Sequence, residues 1–292
     1  MKHHIKFTSV VVLALLSANV YADPDMGKLL ATGGVSQVEG SGGGGLVPWA
    51  LITGYGTKNS YGANVHYTSV GTQDYALASA GVAIGFADMV EVSFNKQDFR
   101  GTAAALNGVN IKQDIIGLKV RLAGDAVYDQ DRLMPQIAIG MQAKKNQGVA
   151  GLSGVTSVTQ LGAKNDSGVD YYLAATKIIL DKSLLLNATL RLSKANQMGL
   201  LGFGGDKSDS YQVVPEISVA YLLNSHVALG AEYRQNPNCL TLANQQDYSD
   251  LFVAYFVNKN LSLTAAYASL GTITTLNSQS QNGYYLSLQA GF

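Results

Sequence analysis

The chain has 292 residues, 47% of them hydrophobic and only 14% charged, with 32 Gly and 16 Tyr. That excludes a disordered chain and departs from soluble domains, in which about 25% of residues are charged. Its 20 basic and 20 acidic residues balance, so the basic footprint of a nucleic-acid partner is missing, and the single cysteine, Cys239, is neither half of an internal disulfide nor a lipoprotein anchor near the start.

Residues 1–22 read as a secretory signal peptide: Lys2 and Lys6 open it, Val10 to Leu16 form its apolar stretch, and Val20-Tyr21-Ala22 precede the expected cut. Without it, 18 basic residues face 20 acidic ones, a net charge of about −2. Residues 23–292 hold no run of the roughly 18 apolar residues that a membrane-spanning helix needs. Any membrane crossing must therefore be made by strands, which a closed barrel permits because neighbouring strands satisfy every backbone N–H and C=O.

The remaining chain divides into segments of alternating character separated by turn signals, the pattern left by transmembrane strands. Strands are predicted at 27–38, 46–56, 61–70, 75–86, 89–98, 111–123, 132–144, 168–180, 183–194, 211–223, 225–236, 248–257, 260–271 and 282–292. The clearest is Leu184, Leu186, Ala188, Leu190 and Leu192 on one face against Asn187, Thr189, Arg191 and Ser193 on the other. Around 170–180 and 250–257 either parity could face lipid, and Gly33-Gly34 interrupt the first segment. Tight connections at 57–60, 87–88, 181–182, 224 and 258–259 take turns with longer ones at 99–110, 145–167, 195–210, 237–247 and 272–281. The expected fold is all-β: a single antiparallel transmembrane β-barrel over 23–292 with about fourteen strands, or twelve if 27–38 is a plug and one further pair merges. Short turns would lie on the periplasmic side and longer loops outside, in the outer membrane of a Gram-negative bacterium.

At the end of the chain Tyr284, Leu286, Leu288, Ala290 and Phe292 place apolar side chains on alternate positions up to a terminal aromatic. Such an ending resembles the signal read by the barrel assembly machinery, which with outer-membrane lipid is an expected partner. The stretch Gly27-Lys28-Leu29-Leu30-Ala31-Thr32-Gly33-Gly34-Val35-Ser36-Gln37-Val38-Glu39-Gly40, followed by Gly42 to Gly45 and Leu46-Val47-Pro48-Trp49-Ala50, resembles the opening of a proteobacterial outer-membrane family labelled domain of unknown function 3034. The resemblance implies location and barrel fold and brings no substrate or catalytic residues. The glycines have a physical reading of their own: missing side chains let a strand bend, admit a close neighbour or form a flexible loop.

Catalysis is poorly provided for. Beyond the signal only His66 and His226 remain, and no Gly-x-Ser-x-Gly or comparable motif accompanies them. Two separated histidines and one cysteine make no metal cluster. In Gly202-Phe203-Gly204-Gly205-Asp206-Lys207-Ser208 an aspartate separates glycine from lysine, which breaks Walker A spacing. We therefore expect no enzyme activity and no cofactor.

What repeats is ionisable side chains opposite the apolar rows: Glu91, Lys119, Arg121, Lys177, Arg191, Glu216, Glu232 and Arg234, with His66, are the candidate lumen lining. A Lys or Arg facing lipid near the midplane would cost about 2–4 kcal/mol, which favours the parity that turns these residues inward. Five of the eight are basic and three acidic, so any selectivity should lean weakly towards anions. Tyr55, Tyr67, Tyr171, Tyr172, Tyr211, Tyr221, Tyr233, Tyr255, Tyr267, Tyr284 and Trp49 read chiefly as girdle residues at the lipid boundaries. Three functions stay open: a passive channel for small polar solutes, a hydrophobic-solute uptake barrel plugged by 23–45, or a closed structural or surface barrel without transport.

One prediction rests on the sequence alone. Phe292→Asp should impair membrane insertion while export continues, leaving protease-sensitive protein in the periplasm. Heat-modifiable migration with membrane fractionation is the readout, and wild-type amounts of inserted barrel would refute the reading of this strand.

Overall fold

The computed structural model describes residues 27–103 and 106–292, so the expected signal peptide lies outside the described residues. Twelve antiparallel strands follow in chain order: β3 (Tyr61–Thr72), β4 (Tyr75–Phe86), β5 (Val90–Gly101), β6 (Asn110–Ala123), β7 (Gln136–Ala150), β8 (Ser167–Ile179), β9 (Leu184–Ser193), β10 (Gln212–Leu222), β11 (Val227–Arg234), β12 (Tyr248–Asn258), β13 (Leu261–Gly271) and β14 (Gln281–Gly291). Each pairs with its sequence neighbour, and β14 pairs with β3 in the register Leu288↔Tyr67, closing the barrel. Closure leaves no strand edge open to lipid, the condition for spanning a membrane with strands.

The period-two signal accounts for the wall. In β9 Leu186, Leu190 and Leu192 are exposed on the outside while Asn187, Thr189 and Arg191 are buried inside. The same apolar exterior recurs at Val82, Phe94, Ile116, Leu173, Ile217, Val253, Leu263 and Leu286. Connections at one end are short, except for 124–135. At the other they lengthen at 102–109, 151–166, 194–211, 235–247 and 272–280, although 73–74 between β3 and β4 is tight. The Ala87-Asp88 hairpin has both residues at φ 51° and closes with Met89 N–H donating to Phe86 O at 2.9 Å. A two-residue hairpin turn with both central residues left-handed matches the twist of the strands it joins.

Two expected strands are not in the wall. Residues 27–38 and 46–56 enter the lumen from the short-turn end, so the count falls from fourteen to twelve without any merger of later strands. Within the lumen the chain forms a small hairpin, β1 (Val35–Ser36) and β2 (Gly42–Gly43), paired Val35↔Gly43. Val38, Leu46, Val47, Trp49, Ala50, Leu51 and Ile52 are buried there, so Trp49 is a plug residue and no girdle residue. Tyr172 is also buried on the inner face, whereas Tyr67, Tyr171, Tyr221, Tyr255, Tyr267 and Tyr284 are exposed outside. Small inward residues such as Ala83, Ala138, Ala174, Ala220 and Ala254 leave room for the plug. The plug leaves the barrel beside the last residue: Phe292 O accepts from Tyr55 N–H at 3.1 Å and from Ala63 N–H at 3.0 Å. The Phe292 ring stands edge-on to Tyr61 at 6.1 Å.

An apolar outer face makes charge there costly in proportion to depth. Val253→Arg, midway along β12, should destabilise the barrel by about 2–4 kcal/mol in urea unfolding from lipid vesicles, and Ser249→Arg near the outer rim by about 1 kcal/mol or less. Equal effects at the two positions would show that this face is not set against lipid.

Candidate functional site: a charged seat between wall and plug

The glycine run Gly42 to Gly45 explains how the plug and wall fit. A Cβ on Gly44 would lie 2.0 Å from Glu232 Oε1, and one on Gly42 2.9 Å from Glu91 Oε2. Wall carboxylates approach the plug backbone too closely for any side chain, which is the close-neighbour role of glycine. Glu91 accepts from Gly42 N–H and Thr53 N–H, both at 2.9 Å. Lys119 donates to Gly42 O at 2.7 Å, Leu51 O at 2.8 Å and Glu91 at 3.0 Å. Glu232 accepts from Leu46 N–H and from the Ser218 hydroxyl, each at 2.7 Å. Neutral side chains hold the rest: Gln136 donates to Ala50 O at 2.7 Å, Thr189 to Pro48 O at 2.8 Å, and Trp49 Nε1–H to the Ser218 hydroxyl at 2.9 Å.

Deeper in the lumen, one plug side chain is charged. Glu39 is completely buried and meets a row in which five consecutive strands each supply one ionisable group: Lys144 on β7, Asp170 on β8, Arg191 on β9, Glu216 on β10 and Arg234 on β11. The signs alternate along the row. Glu39 accepts from Lys144 Nζ, from Arg234 Nη1 at 2.6 Å and from Gln37 Nε2 at 2.8 Å, with Arg191 Nη2 at 3.8 Å. Lys144 also reaches Asp170 at 2.6 Å; Arg191 donates to Glu216 and to Gln142 Oε1 at 2.8 Å, and its guanidinium lies 5.5 Å from the Tyr172 ring centre. With Glu39 seated, three cations face three carboxylates.

Above this seat, on the long-loop side, the segment Asn196–Gly199 folds into the barrel mouth. Met198 O accepts from Lys144 Nζ and Gln113 Nε2, each at 3.2 Å, and Leu200 O from Asn146 Nδ2 at 2.8 Å. Gln197 and Met198 are both left-handed, at φ 49° and 60°. Gln197 is held by Gln245, Tyr248 and the carbonyls of Thr272 and Ile273. Between this segment and the wall lies a small apolar pocket bordered by Val70, Leu77, Phe99, Met198, Leu201 and Ile273.

The sequence-derived candidates divide as follows. Glu91, Lys119, Arg191, Glu216, Glu232 and Arg234 are buried on the inner face and contact the plug or its seat. Arg121 is inward at the short-turn rim, where it binds Asp88 and, at 3.0 Å, Asp125; Asp88 also holds plug residue Lys28 at 2.7 Å. Burial works against the Asp125 carboxylate, but the N–H groups of Tyr128 and Val127 and the Arg121 guanidinium hold it below the usual carboxylate range. His66 is inward and 2% exposed, while His226 sits exposed at the short-turn rim beside Phe256 O. Lys177 departs from expectation: it has the outward parity of Tyr171 and Leu173, and its Nζ folds into the 124–135 link, donating to Asp125 O at 3.2 Å and to Asp129 O. Lys144, Asp170 and Asp250 are inner-face groups that sequence reasoning missed. The inner wall strands therefore carry five cations (Lys119, Arg121, Lys144, Arg191, Arg234) and five acids (Glu91, Asp170, Glu216, Glu232, Asp250), a balance in place of the expected basic excess. At the other end of the chain, Tyr284, Leu286, Leu288 and Ala290 follow the outward parity of β14.

A family model described as "Protein of unknown function (DUF3034)" matches residues 32–289. No curated relative matches the sequence. Among solved structures, the NanC porin is similar at a TM-score of 0.52 and 12% identity, over 78% of this chain and 98% of that one. The KdgM porin gives 0.48 and 10%, over 78% and 99%. Outer membrane phospholipase A from Escherichia coli gives 0.44 and 10%, over 78% and 92%. The likeness to NanC is one of fold: a closed barrel of the outer membrane. Since the family match takes in the lumenal segment from residue 32 as well as the wall to residue 289, this porin-like outer-membrane barrel belongs to the DUF3034 family.

Proposed function

We propose that the protein is a gated, non-catalytic channel for small polar solutes, closed in the described state by its own residues 27–56. The observation that carries this reading is the polarity of the contact between plug and wall. A lumen filled once and for all is best filled with apolar side chains, because replacing buried ion pairs with packed hydrophobes is often neutral or stabilising. Here the inner wall instead keeps Asn64, Thr68, Gln97, Gln113, Gln142, Asn187 and ten Lys, Arg, Asp and Glu side chains facing inward. If the plug withdraws, water can solvate these groups, and the emptied lumen becomes a hydrated path.

The hydrophobic-uptake alternative has one feature in its favour, a lumenal N-terminal segment. The inner wall around that segment mixes polar and ionisable groups with apolar ones such as Leu77, Ile115, Phe252 and Phe256, and strand pairing is continuous around it with no side opening among the described residues. The non-catalytic part of the proposal draws support from the histidines. The side chain beside the His66 ring is the Asn95 amide, and His226 binds a backbone carbonyl, so among the described residues neither is paired with a serine or carboxylate as a general base must be.

Planar-bilayer recordings test the gate. A variant lacking residues 30–53 should conduct continuously, whereas the wild type should be closed for most of the record. The Ser36 hydroxyl and Asn64 Oδ1 are 3.0 Å apart, so Ser36→Cys with Asn64→Cys should lock the plug on oxidation and release it on reduction. A folded, heat-modifiable deletion variant that never conducts would sink the channel reading and favour a closed structural barrel.

A further inference from the structure

We infer that the row Lys144, Arg191 and Arg234 is a binding seat for the carboxylate group of a small anionic solute, and that Glu39 of the plug occupies it as a built-in surrogate ligand. The inference rests on the channel reading above and names the solute class of that channel. Its basis is a local imbalance that the overall charge of the lumen conceals. The five wall groups around Glu39 are three cations and two acids, so the seat without the plug carries a formal charge of +1.

The geometry is that of carboxylate recognition. One oxygen of Glu39 takes the Lys144 ammonium and the other takes an Arg234 N–H at 2.6 Å, with Arg191 alongside. Every cation of the set is at least nine-tenths buried and has a second acid beside it: Asp170 holds Lys144, and Glu216 holds Arg191 and lies 3.4 Å from Arg234 Nε. Those wall acids keep the cations in place when the plug leaves, so the seat is preorganised for a replacement carboxylate. Charge-assisted hydrogen bonds to an arginine and a lysine in a site of low dielectric favour such an anion over a neutral solute of equal size. Tyr172, whose ring lies beside Arg191, offers an apolar wall for the solute's carbon skeleton. The Glu91–Lys119 pair differs: both members bind plug backbone, so its release exposes a neutral pair.

Two measurements on the purified full chain separate this inference from the channel reading. Isothermal titration uses sodium gluconate as probe and glucose as control. Glu39→Ala should bind gluconate where the wild type does not, and adding Arg234→Gln should weaken that binding at least about tenfold, the usual worth of a charge-assisted contact. The second measurement needs no change at Glu39. In the Ser36→Cys/Asn64→Cys protein, gluconate above the effective concentration of the tethered carboxylate, on the order of millimolar or higher, should slow oxidative locking while glucose leaves it unchanged. If Glu39→Ala does not fold, this competition decides alone. No gluconate binding to folded Glu39→Ala, binding that survives Arg234→Gln, or locking equally insensitive to both solutes would overturn the seat. A deletion variant that never conducts, in a protein whose Glu39→Ala form still binds gluconate, would instead remove the channel reading and leave a carboxylate-binding barrel.

Discussion

A carboxylate deep inside a closed barrel has no water to solvate it, so its burial is tolerable only if the wall supplies cations in return, and those cations need acids of their own. Glu39 imposes that requirement on this protein. The wall meets it with alternating signs on five neighbouring strands, from Lys144 to Arg234. Period-two geometry makes the arrangement possible: one inward position per strand at similar height lines up around the barrel, so a chain of ion pairs can follow the curve of the wall. Exchanging one of these charges for a neutral group would strand its neighbours, which ties the lumenal segment to the strand register.

The register was legible in the sequence because lipid permits so little. A one-residue slip would turn Arg191 or Glu216 outwards and Leu190 or Ile217 inwards, and the composition of those strands allows one answer. The plug is only half legible: 27–38 stays open as a plug because Gly33-Gly34 break its pattern, whereas 46–56 reads as a wall strand although the sequence carries a reason against it. Segment 46–52 is apolar at both parities, with Leu46, Ala50 and Ile52 as buried as Val47, Trp49 and Leu51, so neither face was fit for a hydrated lumen. Pro48 lies in its middle, where a central strand needs the missing N–H. Glu39 escaped notice because it fell between two supposed strands, where a charge counts as a solvated loop residue.

The remaining misreadings lie at strand ends and in strands of ambiguous parity. Lys144 stood at the limit of a strand expected over 132–144, but β7 runs on to Ala150 and carries Lys144 well inside the lumen. In β8 the inward row is Asp170, Tyr172, Ala174 and Thr176, which leaves Lys177 outside. Lys177 is tolerated there because the 124–135 link wraps its ammonium with carbonyls near the membrane boundary. Alternation alone could not decide this strand, since alanines occupy both faces and a tyrosine suits either an aromatic girdle or a packed interior. These shifts turn an apparent basic excess into a balanced wall, so selectivity depends on where charges cluster more than on how many there are.

The plug and the inward loop meet at one atom. Lys144 Nζ binds Glu39 from the plug below and Met198 O from the inward loop above. Met198 and Gln197 hold left-handed backbone conformations, which for non-glycine residues cost of order 1–3 kcal/mol each and persist only where the surroundings enforce them. The enforcing contacts are the four partners of Gln197 and the donation from Lys144 and Gln113 to Met198 O. When Glu39 leaves, Asp170 is the carboxylate that stays on that ammonium among the described residues, and its position relative to Met198 O is no longer fixed from two sides. A strained loop and an ionic plug that share a lysine cannot respond independently, so loosening either one reduces what holds the other in place.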